Sequence, residues 1–259
     1  MNTRLISRWP VVIGPVVILG GWELASRTEL IRPFFFPPPT EIVARSVILF
    51  DADEGLGNDL LATVVRLLLV AGFAAALGIM TGLLMSAWRW LNRGMETVLA
   101  FFYPIPAILF LPFLSFVLGR GETLVVLTAM ITPFIIMSVY TLAGVRSIPS
   151  EYLEAGHNYG ATGWRFFARV LMPGALTWII AGFRVSLGFS LITLIAIEMV
   201  AASEGLGQFL WANWQILRVT DMYVALVAIA ALGLLTSVGF DALANRLLPW
   251  RSASEAETR

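Results

Sequence analysis

Long apolar runs decide what this chain can become. Residues 9–24, 60–88, 98–118, 123–145, 176–202 and 222–248 are dominated by Leu, Ile, Val, Phe, Ala and Gly. Runs of about 18 or more such residues form helices long enough to cross a hydrocarbon core of roughly 30 Å. Lipid offers the backbone no hydrogen-bond partner, so a spanning segment must satisfy itself as a helix or a closed barrel, and runs of this length suit helices. The expectation is an all-α integral membrane protein with six transmembrane helices. Composition agrees: 58% of residues are hydrophobic and 13% charged, against a charged fraction of about 25% in soluble domains, and mean hydropathy is +0.83.

The first run is the shortest and carries Pro10 and Pro15, and Arg4 and Arg8 before it would also suit a signal peptide. No small-residue cleavage site follows, and Trp22-Glu23 is a poor end for an apolar signal core. It is therefore expected to remain as an anchor. Orientation follows from arginine, which favours the cytoplasmic side of short loops. With six spans, one side carries both termini and Arg4, Arg8, Arg89, Arg93, Arg146, Arg165, Arg169, Arg246, Arg251 and Arg259. The other holds Arg27, Arg32, Arg45, Arg120 and Arg218 among many carboxylates. Both termini are predicted cytoplasmic. The net charge of zero conceals this polarity and argues neither for nor against nucleic acid.

Absences narrow the chemistry. With no cysteine there are no disulfides, thiolate metal sites or cysteine nucleophiles, and a single histidine makes a histidine-based metal site improbable. All 17 basic residues are arginine. A chain without lysine cannot carry the G-x-x-x-x-G-K-[ST] loop, whose lysine reaches a nucleotide's terminal phosphates. If ATP drives this protein, another polypeptide hydrolyses it. An intramembrane enzyme also fits poorly, because no pair of carboxylates, His-x-x-x-His or Ser–His arrangement falls at one expected depth.

Along the chain, Pro33 and Pro37-Pro38-Pro39 force extended backbone, and Thr40 is a candidate N-cap for a short amphipathic helix through Phe50. Gly78 and Gly82, with Ala74 on the same face, permit close helix approach inside the bundle or at a dimer face. Pro104, Pro106 and Pro112 interrupt the third span and Pro133 the fourth. Such breaks are tolerated where protein or a water-filled cavity satisfies the freed carbonyls, which makes the Pro104–Pro112 segment a pathway candidate. Gly182, Ser186 and Ser190 lie at four-residue intervals in the fifth span, with Glu198 near its outer end. This small, weakly polar face suits a second copy and a pore with little grip on solute, so Ser186, Ser190 and Glu198 join the pathway candidates. Arg184 and Glu198 stand about 21 Å apart along a helix and do not pair, whereas Arg66 is placed to reach Glu198 or lipid headgroups.

The polar stretch between the fourth and fifth spans is too charged to cross a bilayer and too patterned to be slack loop. Pro149-Ser150-Glu151 suits a helix start, and Gly160 suits its end in a left-handed conformation. Trp164, Phe167 and Val170 suit one face of a second helix, and Pro173 permits a fresh start into the fifth span. The segment 147–175 is expected to form a two-helix elbow facing the cytoplasm.

Glu154-Ala155-Gly156, then Gly160, then Val170, Met172 and Pro173 resemble the E-A-A, three residues, G, nine residues, I-x-L-P signature of the permease subunits of binding-protein-dependent ABC importers. Gly156 replaces alanine, Val170 isoleucine and Met172 leucine. Phe36-Pro37-Pro38-Pro39-Thr40, Pro104-Ile105-Pro106-Ala107, Glu204-Gly205-Leu206-Gly207 and Leu247-Leu248-Pro249-Trp250 resemble the nitrate, taurine and aliphatic-sulfonate branch. The resemblance implies a non-catalytic, type I importer permease of the bacterial inner membrane with no cofactor of its own. It further implies two copies per transporter, two cytoplasmic ATPase subunits docked on the elbows through Glu154, Ala155, Gly156, Gly160, Val170, Met172 and Pro173, and an extracytoplasmic substrate-binding protein. The expected division is an anchor and outer loop at 1–59, a permease domain at 60–250 and a polar tail at 251–259. The solute implied is a small organic anion such as a sulfonate, taurine or nitrate. Heterocyclic vitamin precursors, aromatic acids and an ATP-independent channel or secondary transporter remain as alternatives.

Overall fold

The computed structural model describes residues 9–51 and 56–247. Expectations resting on Arg4, Arg8, Asp53, Glu54 and residues 248–259 lie outside them. The described residues are helical and contain no strand. They comprise α1 (Trp9–Arg27), α2 (Pro39–Asp51), α3 (Leu56–Ala87), α4 (Arg89–Phe102), a 3-10 turn (Ala107–Phe110), α5 (Leu111–Leu118), α6 (Glu122–Ala129), α7 (Ile131–Arg146), α8 (Ser150–Asn158), α9 (Gly163–Phe166), a π-type turn (Phe167–Leu171), α10 (Met172–Ala201), α11 (Leu206–Gln215) and α12 (Val219–Leu247).

Four stretches among the described residues are long and apolar enough to span a membrane: Leu56–Ala87, Glu122–Arg146, Gly163–Ala201 and Val219–Arg246. A fifth arises if α4 and the Ala107–Leu118 segment count as one span, although they bend by 98°. Of the six expected, the first coincides with α1, a helix of 19 residues with Pro15 inside it that is not among these. The expected third span is not one straight helix. Pro104 and Pro106 fall in its break and Pro112 in the first turn of α5, where a residue without an N–H and with a fixed φ is tolerated.

Helix α7 lies between α3 and α10, which make the most extensive helix pairs of the bundle. Glycines make this possible. A Cβ on Gly78 would stand 2.6 Å from that of Met137, and one on Gly82 2.6 Å from the Ser138 carbonyl oxygen. The G-x-x-x-G pair is thus used inside the bundle. On the other flank, Gly144 admits Trp178, Gly174 admits Ile148 and Gly182 admits Tyr140. The small face of the fifth span is accordingly filled by the chain's own α7.

Proline explains the polar atoms between these helices. Pro133 cannot donate to the carbonyl four residues back, Ala129, and the hydroxyl of Thr193 on α10 donates to that oxygen at 2.8 Å. Ser186 donates to the Pro133 carbonyl at 3.2 Å, and Ser190 to the Ser186 carbonyl at 2.8 Å. Thr193 thus satisfies the carbonyl that the proline leaves open, and Ser186 adds a second bond from α10 to α7. At the periphery, Arg45 of α2 grips Asp221 of α12 through two bonds of 2.6 and 3.0 Å. Helix α2 starts at Pro39 rather than being capped by Thr40. The Glu23 carboxylate of α1 takes the capping role, accepting from the Thr40 N–H at 3.1 Å and its hydroxyl at 2.8 Å.

Candidate functional site

The elbow begins where α7 ends at Arg146, and Pro149, in an extended conformation, caps α8. Gly160, at φ +74°, closes it as a Schellman turn: its N–H donates to the His157 carbonyl at 2.9 Å and that of Ala161 to the Gly156 carbonyl at 3.0 Å. The left-handed end expected at Gly160 is present. Gly163, at φ +53°, opens the second arm.

That arm is not a separate helix. It continues through the π-type turn into α10 as one path of 39 residues, Gly163–Ala201. Pro173 lacks an N–H for the carbonyl of Arg169, and the turn before it widens instead of stopping. The expectation that Pro173 marks a fresh start is thereby corrected. The widening also disturbs the regular spacing of Trp164, Phe167 and Val170. Trp164 is 75% exposed and stacks on Phe167, while Val170 turns to α8.

Gly156 is where the arms meet. A Cβ there would stand 2.9 Å from Val170 Cγ2 and 3.1 Å from the Phe166 ring, and the His157 ring lies 4.3 Å from that of Phe166. The neighbour that Gly156 admits is the chain's own second arm. Glu154, two residues and so about 200° away around the helix, is exposed, as are Tyr152 and Tyr159. Ala155 and Met172 are half-buried and Pro173 is exposed.

The opposite end of the bundle holds a constellation that sequence reading brought only partly together. Asp59, Thr63 and Arg66 lie at i, i+4 and i+7 on one face of α3. The Arg66 guanidinium donates through Nε and Nη2 to both carboxylate oxygens of Glu122, each at 2.6 Å. Through Nη1 it donates to Glu198 at 3.0 Å and to the Glu204 carbonyl at 2.7 Å. The same stripe caps α11: the N–H groups of Gly205, Leu206 and Gly207 donate to Asp59 at 2.6 Å, Thr63 at 2.8 Å and Glu198 at 3.1 Å. Carboxylates at a helix N-terminus also meet its dipole favourably. A Cβ on Gly205 would stand 2.7 Å from Glu198 Cδ, and one on Gly207 2.5 Å from the Ile195 carbonyl oxygen, so only glycine fits either place.

Sequence reading found Arg66 and Glu198 but saw no two carboxylates at one depth. The structure brings Glu122 and Glu198 to one guanidinium. Neither is set up as an acid–base pair, since both are held by donors. The i, i+4, i+7 spacing on α3 was the signal available. Of the other pathway candidates, Ser186 and Ser190 are buried against α7, and Glu198 is 0% exposed. Pro104 and Pro106 lie at the 98° bend and Pro112 in the first turn of the adjoining α5, which exposes Phe113, Phe116 and Val117. Arg184 meets Asp241 of α12 at 2.9 Å.

Comparison with known proteins decides the family. The profile described as "Binding-protein-dependent transport system inner membrane component" matches residues 74–252 of this chain. The chain belongs to that family. Among the permease's relatives is the taurine transport system permease protein TauC of Escherichia coli (strain K12), 30% identical over 260 residues, spanning 96% of this chain and 94% of that one. The nitrate import permease protein NrtB of Synechocystis is 24% identical, over 87% of this chain and 86% of its own. A solved structure of inward-facing MetNI methionine ABC transporter superposes with a TM-score of 0.66 at 20% identity, over 74% of this chain and 97% of that one, a likeness of fold. The protein is a multi-pass ABC importer permease with relatives in the nitrate and taurine branch.

Proposed function

We propose that this permease forms half of a solute pathway in a bacterial inner membrane, with both termini cytoplasmic, and couples it to two separate ATPase subunits through the elbow. Continuity of the second arm with the fifth span over 39 residues is the observation that carries the reading. Force applied at Glu154 passes through the Gly156–Val170 contact into a helix that crosses the bundle, with no joint between. Closure of an ATPase pair then draws two elbows together in a dimer of this chain and opens the pathway outward to an extracytoplasmic binding protein. Hydrolysis reverses the motion.

The relatives favour a small oxyanion-bearing solute, such as taurine or another sulfonate, or nitrate. One observation favours a second reading, an aromatic or heterocyclic solute. A cavity of about 710 Å³ between α4, α7 and α10 is walled mainly by apolar side chains with Tyr103 and Tyr140, and its arginine, Arg146, is engaged by Asn92 and Glu96 at 3.1 and 3.5 Å. Competition of labelled taurine uptake by benzoate against ethanesulfonate separates the two.

Affinity purification of the tagged chain from its native membrane tests the coupling. An ATPase should co-purify with the unaltered chain and be lost on replacing Glu154 or Gly160. Recovery of the chain alone, with gradient-driven uptake by the isolated protein, overturns the importer mechanism in favour of a secondary transporter.

A further inference from the structure

We infer that the Arg66–Glu122 ion pair is the outer latch of the permease, and that its release is required for the pathway to open outward. The inference rests on the orientation and coupling proposed above.

The two sides of the Arg66 guanidinium differ. On one side everything is sealed: side-chain exposure is 3% for Arg66 and 0% for Glu198, and Thr63 is equally buried. Glu198 keeps the Thr63 hydroxyl and the Gly207 N–H as further donors, so this side stays satisfied whatever Glu122 does. Together α3, the end of α10 and the start of α11 form one fixed block. On the other side, the Glu122 side chain is 62% exposed. It can leave the guanidinium for water without stranding a buried charge, and the geometry of two parallel bonds makes the contact strong only while both align.

Glu122 also stands on a hinge. It is the first residue of α6, and Gly119 and Gly121 just before it have φ of +71° and +138°, a region that glycine enters freely. Neither glycine has a neighbour within 4 Å of an added Cβ, so these residues answer to backbone geometry rather than packing. The Gly119–Gly121 turn joins α6 to α5, the segment beyond the proline bend. A cavity of about 620 Å³ separates this turn from the end of α10, with Ser115, Arg120 and Glu122 on one wall and Val200, Ala202 and Ser203 on the other. Hinge, space and an exchangeable ion pair coincide. When the pair opens, α5 and the start of α6 swing away from the fixed block.

The absence of cysteine makes a direct test clean. Spin labels are placed at Ser115→Cys and Ser203→Cys in the assembled transporter, built with cysteine-free partner subunits, and their separation is measured by pulsed dipolar spectroscopy without nucleotide and with trapped ATP. The unaltered latch should give a short distance without nucleotide and a longer one with ATP. Glu122→Gln should move the closed-to-open ratio roughly tenfold toward the long distance without nucleotide, as loss of a charge-assisted fork implies. It should also raise ATP hydrolysis in the absence of binding protein. Glu122→Asp, which keeps the charge with a shorter reach, should fall between. If ATP lengthens the distance identically with and without the Glu122 carboxylate, the latch is overturned while the coupling reading stands. If no ATPase assembles with the unaltered chain, the coupling reading falls and the latch with it.

Discussion

The two ends of the fifth span are held by opposite means. At the elbow, the contacts that fix α8 against the second arm are backbone geometry and van der Waals fit: a Schellman turn at Gly160, a missing Cβ at Gly156, and the His157 and Phe166 rings at 4.3 Å. At the far end, α10 is fixed by charge, with Glu198, Arg66 and Thr63 removed from solvent. The elbow's ionisable groups stay at its surface, where a protein partner can meet them. The far end turns Arg66 and Glu198 inward and leaves Glu122 and Glu204 exposed and Asp59 half-buried. One end suits docking, the other closure.

This contrast fails most visibly if the far end is not a stability element. Arg66→Ala leaves Glu198 buried without a countercharge, and breaking a buried pair in this way costs about 3–5 kcal/mol. The expected outcome is a large fall in thermal stability of the detergent-solubilised permease. Arg66→Met, which keeps an unbranched apolar stem but no guanidinium, should rescue little, because the Glu204 carbonyl and both carboxylates lose the bonds it donated. A variant as stable as the parent would show that the cluster is dispensable.

Gly207→Ala tests the same end through packing. Its Cβ would meet the Ile195 carbonyl oxygen and the N–H of Met199, atoms of helix backbone that cannot rotate away. Overpacking of this kind costs about 1–3 kcal/mol. The loss should appear as lower thermal stability, with ATPase co-purification retained in the fraction that folds.

Gly160→Val addresses the elbow. A β-branched residue at φ +74° is strained by roughly 1–2 kcal/mol, but the strain falls on an exposed turn. Membrane insertion and thermal stability should change little while ATP-driven uptake and ATPase recovery are lost. If Gly160→Val instead lowers stability as far as Arg66→Ala, the division between a docking end and a sealed end is wrong.

How much of this was legible in sequence follows the same division. The elbow was legible because its determinants are local: Pro149 starts a helix, Gly160 ends it, and both act within a few residues. The signature spacing carried the family for the same reason. The continuity of the second arm was hidden, since Pro173 reads as a break and a π-type turn leaves no sequence mark. The far end was half legible. Asp59, Thr63 and Arg66 announce a polar stripe on α3, but Glu122 is 56 positions from Arg66, and only the fold brings them together. The hydroxyls of Ser186 and Ser190 suggested a pore because small polar residues suit either a pore or a backbone carbonyl inside the bundle. They bond the carbonyls of Pro133 and Ser186, while Thr193 takes the Ala129 carbonyl that the proline leaves open.

The smallest expected effect is the most discriminating for the elbow. Gly156 stands where the family signature has alanine, and two consequences of Gly156→Ala oppose each other. Alanine favours the helix by up to about 1 kcal/mol. Its Cβ, however, must displace Val170 Cγ2, at 2.9 Å, and the edge of the Phe166 ring, at 3.1 Å. Both obstacles are the ends of side chains, so rotation relieves them and the net change in stability should lie within about 0.5 kcal/mol. Coupling should respond by how far the arms separate: Gly156→Ala should keep ATP-driven uptake near the parental rate, and Gly156→Leu, which no rotation of Val170 can accommodate, should reduce it severalfold with insertion intact. Equal uptake by both variants would mean that the arms need not touch, and that force reaches the fifth span through the second arm alone.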